Sequence, residues 1–134
     1  MPVIRVSAQE IKQGLPVKDD WYAGKVKSIV AEPSKDKMSI NYKTVVVIDD
    51  GSHEGRDIKD QFNSKFMAPF GQFVAACNGK TLSGDDVVDL EIDTDELIGR
   101  PVNLKVKNDL YNGSMIPKFG AFLPISVDVK NLPF

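Results

Sequence analysis

The stretch that decides the fold is Met38-Ser39-Ile40-Asn41-Tyr42-Lys43-Thr44-Val45-Val46-Val47-Ile48. It is rich in β-branched and aromatic residues, which favour the pleated, half-buried surface of a sheet. Asp49-Asp50-Gly51-Ser52 follows, and Asp50-Gly51 suits the positive φ of a tight hairpin turn. The stretch therefore predicts a β-strand that turns back into an antiparallel partner.

Four further strands are predicted around this one from alternation and turn signals. They cover residues 21–30, 55–62, 101–107 and 114–123. Residues 108–113 read as a loop that ends in the turn Asn112-Gly113. In the first strand, Gly24 predicts a bend or bulge. Alternation there places Lys25 and Lys27 on one face, and Val26 and Val30 on the other.

The hydrophobic period changes from strand to helix after residue 62. Phe70, Phe73 and Cys77 follow helical spacing, Pro69 suits the first helical position, and Asn78-Gly79 is a helix stop. The predicted order is three strands, one short helix and two strands. This is the order of an OB-fold, a mainly β, five-stranded Greek-key barrel with the helix between strands three and four. A sandwich or an SH3-like barrel is the alternative.

Three segments are predicted along the chain. Residues 1–20 form an N-terminal arm, residues 21–123 the OB-fold domain and residues 124–134 a C-terminal tail. Within the arm, Ser7 and Glu10 have the spacing of a capping box, which favours a short helical turn. A mobile arm is the alternative.

Composition excludes several classes of protein. The chain has 134 residues with 42% hydrophobic and 27% charged, as expected for one globular domain. It shows no apolar run of the ~20 residues that cross a bilayer and no signal peptide, so neither a membrane partner nor export is predicted. One cysteine, Cys77, and one histidine, His53, exclude a disulfide framework and a zinc cage, and leave little for nucleophilic catalysis. The chain is predicted not to be an enzyme and to need no metal or other cofactor.

Charge is distributed unevenly although the net charge is only −2. Residues 81–99 carry seven acidic residues and no Lys or Arg, whereas the flanking sections at 1–48 and 100–134 are basic. The acidic block lacks the glycine and terminal glutamate of an EF-hand loop, so a calcium site is not favoured. We expect the block to lie away from any bound polyanion.

Basic and aromatic residues interleave on the predicted strands. Single-stranded nucleic acid is bound by this combination, because cations neutralise phosphates and flat rings stack on bases. The alternative is that exposed lysines keep a small β-barrel soluble and protect its edges. The candidate binding residues are Trp21, Lys25, Lys27, Tyr42, Lys43, Arg56, Lys59, Lys105, Lys107, Tyr111 and Lys118. Alternation along its strand could equally turn Tyr42 inward.

Four short motifs resemble small phage-encoded single-stranded-DNA-binding proteins. They are Trp21-Tyr22-Ala23-Gly24, Gly55-Arg56-Asp57-Ile58, Glu96-Leu97-Ile98-Gly99-Arg100-Pro101-Val102-Asn103-Leu104-Lys105-Val106 and Tyr111-Asn112-Gly113. The resemblance covers roughly residues 20 to 125. It implies an OB-fold that binds single-stranded DNA with low sequence specificity in phage replication or recombination, in the cytoplasm of the host cell. A structural or adaptor β-barrel of a phage, which binds protein, is the alternative.

The C-terminal tail ends in Asn131-Leu132-Pro133-Phe134. This ending is similar to the Pro-Phe tips with which bacterial single-stranded-DNA-binding proteins recruit replication or recombination partners. Pro133 and Phe134 are therefore candidate partner-binding residues. Those tips are strongly acidic, whereas this tail has only Asp128 and contains Lys130, so packing of Phe134 on the domain is the alternative. The sequence leaves open whether the chain is a monomer or a homodimer.

Overall fold

A single antiparallel sheet organises the structure, a computed structural model that describes residues 2–81 and 91–131. Within those residues the sheet has five strands, and two α-helices accompany it. The strands are β1 (Asp20–Pro33), β2 (Ile40–Ile48), β3 (Asp57–Asn63), β4 (Pro101–Tyr111) and β5 (Ser114–Leu123). The helices are α1 (Ala8–Gly14) and α2 (Ala68–Cys77). The prediction of a mainly β chain with a short helix between its third and fourth strands is confirmed.

Strand β1 lies at the centre of the sheet, whose order is β3-β2-β1-β4-β5. Its first part, Asp20 to Lys25, pairs with β4, and its second part, from Gly24 onward, pairs with β2. A side chain at Gly24 would place its Cβ 2.8 Å from Val46 Cγ1 and 2.9 Å from the Val47 carbonyl oxygen. Glycine is therefore required where β1 changes partner.

A register shift interrupts β1 between Val26 and Ser28. The extra residue, Lys27, moves the inward positions by one, because side chains alternate strictly along a strand. As a result Ile29 packs against the core and Val30 is 50% exposed. The prediction that Val26 and Val30 share the buried face was wrong for Val30.

The core lies between the inner face of the sheet and α2. Val46, Ile58 and Leu104 from three strands are fully buried there, together with Phe73 of the helix. Phe62 lies within 5.0 to 6.1 Å, between ring centroids, of four other phenylalanines: Phe70, Phe73, Phe119 and Phe122. The core therefore occupies the inner face of the sheet.

The β4–β5 hairpin is longer than predicted. Its ladder continues to the pair Tyr111 and Ser114, so residues 108–111 extend the strand instead of forming a loop. The predicted turn at Asn112-Gly113 is confirmed, with both residues at positive φ. Tyr111 consequently lies at the end of a projecting ribbon.

Both end segments contact the sheet region. The predicted cap of α1 is confirmed, since the Glu10 backbone N–H donates to Ser7 Oγ at 3.1 Å. Gln13 and Gln9 each donate from Nε2 to the Gly55 carbonyl oxygen at 2.7 Å, which attaches α1 beside β3. At the other end, residues 124–131 fold back onto the outer face of β4.

The two edge strands approach each other without a ladder between them in the described part of the chain. Asp60 of β3 accepts a hydrogen bond from the Phe119 backbone N–H of β5 at 3.1 Å. Lys118 Nζ lies 3.8 Å from the same carboxylate. The sheet is therefore open, and a side chain connects its edges where a closed barrel would have backbone pairing.

Candidate nucleic-acid interface

The outer face of the sheet carries most of the candidate binding residues. Register partners on neighbouring strands point to the same face, and residues two apart on a strand do so as well. Trp21 is the register partner of Lys105, and Lys107 is the partner of Lys118. These residues and Tyr111 form the Trp21 strip, which we define as Trp21, Lys105, Lys107, Tyr111 and Lys118.

The Trp21 strip joins cations and aromatic rings on one surface. Trp21 is half-buried, whereas Tyr111 is 64% exposed. Asp19 lies beside the strip, and the pKa of its carboxyl is lowered by hydrogen bonds from the Asn108 side chain and backbone, with smaller contributions from Lys107 and Lys105. An ionised carboxylate therefore borders the lysines at this end of the sheet.

A second group of lysines lies on the same face across β1, β2 and β3. We define the lysine patch as Lys25, Lys27, Lys43 and Lys59. Three of these lysines are paired with carboxylates, at Nζ–O distances of 3.7 Å for Lys25–Asp49, 2.9 Å for Lys27–Asp57 and 2.8 Å for Lys43–Glu32. The Lys25 and Lys43 pairs are exposed and contribute only ~0–1 kcal/mol, so a phosphate can compete for these two lysines, whereas the Asp57 side chain that holds Lys27 is only 12% exposed.

Two candidate residues lie away from this outer face. Tyr42 is on the inner side, where its ring stacks on Phe70 at 5.4 Å with an interplanar angle of 7°. Arg56 precedes β3, and its Nη1 donates to Gln13 Oε1 at 3.4 Å and to the Asp57 carbonyl oxygen at 3.2 Å. Burial lowers the pKa of Arg56. Tyr42 thus packs with the core, and Arg56 helps to hold α1.

The C-terminal segment of residues 124–131 separates the Trp21 strip from the lysine patch. Asn103 Nδ2 donates to the carbonyl oxygens of Pro124 and Val127, each at 3.0 Å, and Asn103 is only 3% exposed. Its register partner in β1 is Ala23, which lies between Trp21 and Lys25. Sequence reasoning missed Asn103, because an asparagine at an outward strand position gives no sign that a later segment covers it.

Three features singled out from the sequence remain: the C-terminal tip, the acidic block and Cys77. Pro133 and Phe134 lie outside the described residues, as do residues 82–90 of the acidic block. Cys77 is buried, and burial raises its pKa to about 12, so the thiol is unreactive at neutral pH.

Within residues 2–81 and 91–131, no three His, Cys, Asp or Glu side chains come together as ligands for a metal ion. No helix in those same ranges is both long and apolar enough to cross a membrane. Searches of protein-family models and of curated protein sequences find no match for this chain.

Proposed function

We propose that the protein binds single-stranded DNA with low sequence specificity, and protects or presents it during phage DNA replication or recombination. The observation that carries the proposal is the Trp21 strip, in which Trp21 and Lys105 are cross-strand neighbours and the pair Lys107–Lys118 follows on the same face. Lysines hold the phosphates there, and the rings of Trp21 and Tyr111 stack on bases at ~1–3 kcal/mol each.

The proposed architecture is an OB-fold barrel. Three consecutive strands with the fourth beside the first is the order of a Greek key, and the sheet has that order. The contact of Asp60 with the Phe119 N–H and with Lys118 supports closure between β3 and β5. OB-folds bind oligonucleotides on the face of strands two and three, and through the loops between strands one and two and between strands four and five. Lys43 and Lys59 lie on strands two and three, and Tyr111 lies at the loop between strands four and five.

In this proposal the protein acts by binding alone, with no catalytic step and no cofactor, in the host cytoplasm. The Trp21 strip makes the first contact, because its rings can stack on bases. The lysine patch extends the contact when phosphates replace Glu32 and Asp49 as partners of Lys43 and Lys25. The tail residues Pro133 and Phe134 are proposed to recruit replication or recombination proteins.

A salt titration of oligo-dT binding tests the proposed function. The affinity of the wild-type protein should fall steeply as salt is added. In the double variant Lys105→Ala, Lys107→Ala, the slope of the logarithm of the binding constant against the logarithm of the salt concentration should fall by about one for each phosphate contact removed. Lys80→Ala is the matched control, since Lys80 is exposed beyond the C-terminus of α2. Absence of binding at low salt, or an unchanged slope in the double variant, would contradict the proposal.

One observation favours the second candidate function, a structural or adaptor protein that binds protein. Leu110 and Met115 are cross-strand partners on the face of the hairpin opposite Tyr111, and they are 71% and 61% exposed. Exposed apolar pairs at a projecting tip suit a protein contact, of which a homodimer is the simplest. Sedimentation of the wild type and of a Leu110→Ser, Met115→Ser variant tests this. A dimer that the variant dissociates supports it, and an unchanged monomer contradicts the homodimer.

A further inference from the structure

A groove of about 250 Å³ lies where the sheet is open, between the edge strands β3 and β5. Residues 60–63 of β3 and 119–122 of β5 contribute to its lining, together with Pro69 and Gln72 of α2. Four of its lining residues are phenylalanines: Phe62, Phe66, Phe119 and Phe122. The groove therefore offers an aromatic surface to one small, flat group.

Phe66 is the phenylalanine of the groove that the core does not use. It is 63% exposed, whereas the other three are buried or pack against the core. Within residues 2–81 and 91–131, only Phe66 and Tyr111 are aromatic residues more than half exposed. The backbone at Phe66 is held in place, because its N–H donates to the Asn63 carbonyl oxygen at 3.0 Å. An exposed ring on an anchored backbone is available for stacking.

The groove adjoins the Trp21 strip through Lys118. Lys118 Nζ lies 3.8 Å from Oδ1 of Asp60, a residue that lines the groove. The other carboxylate oxygen of Asp60 accepts the Phe119 N–H at 3.1 Å, so the negative charge is shared between an ammonium and a backbone donor. A strand that follows the strip as far as Lys118 therefore arrives beside the groove.

The polar part of the lining suits a nucleobase better than an apolar peptide side chain. Gln61 and Gln72 line the groove and are exposed. An amide both donates and accepts hydrogen bonds, so it can pair with the polar edge of any base. No Lys or Arg in the described part of the chain lines the groove, which favours an uncharged group there over a phosphate.

We propose that this groove holds one base of the bound strand, stacked on Phe66, while a neighbouring phosphate contacts Lys118. The inference rests on the proposed function and extends the interface from the outer face over the edge of β5. Every base has a face that stacks, and an amide pairs with any base edge. The groove therefore adds affinity and leaves sequence specificity low.

Replacement of Phe66 by alanine tests the proposal with oligo-dT of about 12 nucleotides, a length within the range that one OB-fold covers. Phe66→Ala should weaken binding about five- to tenfold, the lower end of the range for one stacking ring, because the groove is open. The salt dependence should not change, since no phosphate contact is lost, and Tm should stay at the wild-type value because Phe66 is exposed. Ile11→Ala is the matched control, since Ile11 is 51% exposed on α1, outside the groove, and should bind as the wild type does.

A second variant, Phe66→Trp, separates stacking from a structural role. In a Trp21→Phe background it supplies the only tryptophan of the chain, and saturating oligo-dT should quench its fluorescence. Wild-type affinity in Phe66→Ala, or fluorescence that the oligomer does not quench, would overturn the inference and leave the salt titration of the Lys105→Ala, Lys107→Ala variant as it stands. Unchanged affinity with self-association lost in sedimentation would assign the groove to a protein contact instead. Failure of the wild-type protein to bind would overturn the proposed function as well.

Discussion

The same substitution at two tyrosines, Tyr42→Ala and Tyr111→Ala, should have opposite consequences. Tyr42 lies on the inner face and stacks on Phe70, whereas Tyr111 is 64% exposed at the tip of the β4–β5 hairpin. Truncation at the first position should therefore lower stability and leave the outer face intact. Truncation at the second should lower affinity for DNA and leave the core intact.

The loss of stability expected for Tyr42→Ala follows from the burial of the Tyr42 ring. Truncation of a fully buried aromatic costs ~3–5 kcal/mol, and Tyr42 is only partly buried, so the packing loss is roughly half of that. Loss of the ring pair with Phe70 adds ~0.5–1.5 kcal/mol. We expect the free energy of unfolding to fall by about 2 to 4 kcal/mol, which lowers Tm by roughly 8 to 16 °C for a domain of this size.

At Tyr111 the expected loss is in binding. Removal of one stacking ring costs ~1–3 kcal/mol of affinity, and the salt slope stays unchanged because no phosphate contact is lost. The free energy of unfolding should change by less than ~0.5 kcal/mol at this exposed position.

Urea or thermal unfolding and oligo-dT binding at two salt concentrations measure both effects on both variants. A stable Tyr42→Ala variant with weakened binding would refute the assignment of inner and outer faces. A Tyr111→Ala variant that binds normally would remove the hairpin tip from the site.

Three further outcomes are expected. Charge reversal at Lys25 and Lys43 together should weaken oligo-dT binding and reduce the salt dependence of the binding constant by about two phosphate contacts, with the fold retained by circular dichroism; normal binding would remove the lysine patch. Gly24→Ala should lower the free energy of unfolding in urea by ~1–3 kcal/mol, because the new Cβ would meet the Val47 carbonyl oxygen at 2.9 Å; unchanged stability would contradict the tight crossing of β1 and β2. The Cys77 thiol has a pKa of about 12 in the folded chain against an ordinary 9.0. Its contribution to the free energy of unfolding is therefore complete below pH 9 and declines above it. Stability should fall by up to ~1.4 kcal/mol per pH unit from there towards pH 12, and Cys77→Ala should lack this component in pH-dependent unfolding.

The secondary structure could be predicted from local signals. Strand β2 was predicted from its run of β-branched residues, and α2 from the helical spacing of Phe70 and Phe73. The turn of the β4–β5 hairpin was predicted from Asn112-Gly113. Each of these signals acts between residues close in sequence, and each agrees with the burial found in the structure.

The candidate binding surface was less predictable, because the face of the sheet on which a side chain lies depends on strand register and on segments distant in sequence. Alternation left Tyr42 undecided, and one extra residue at Lys27 turned Val30 outward. The positions of the lysines could be predicted, but their partners could not. Lys25 pairs with Asp49, which follows β2, and Lys27 pairs with Asp57 of β3.

By itself, the amino-acid sequence determined the elements and their order, together with the chemistry of the exposed side chains, because propensity, turn residues and hydrophobic period are local properties. Only the tertiary structure decided that Trp21 lies beside Lys105, that Asn103 is covered by the C-terminal segment, and that Asp60 connects the two edges of the sheet. Those contacts join residues 21 to 84 positions apart. They depend on strand register and on how distant segments fold back onto the sheet, which a local sequence pattern does not encode.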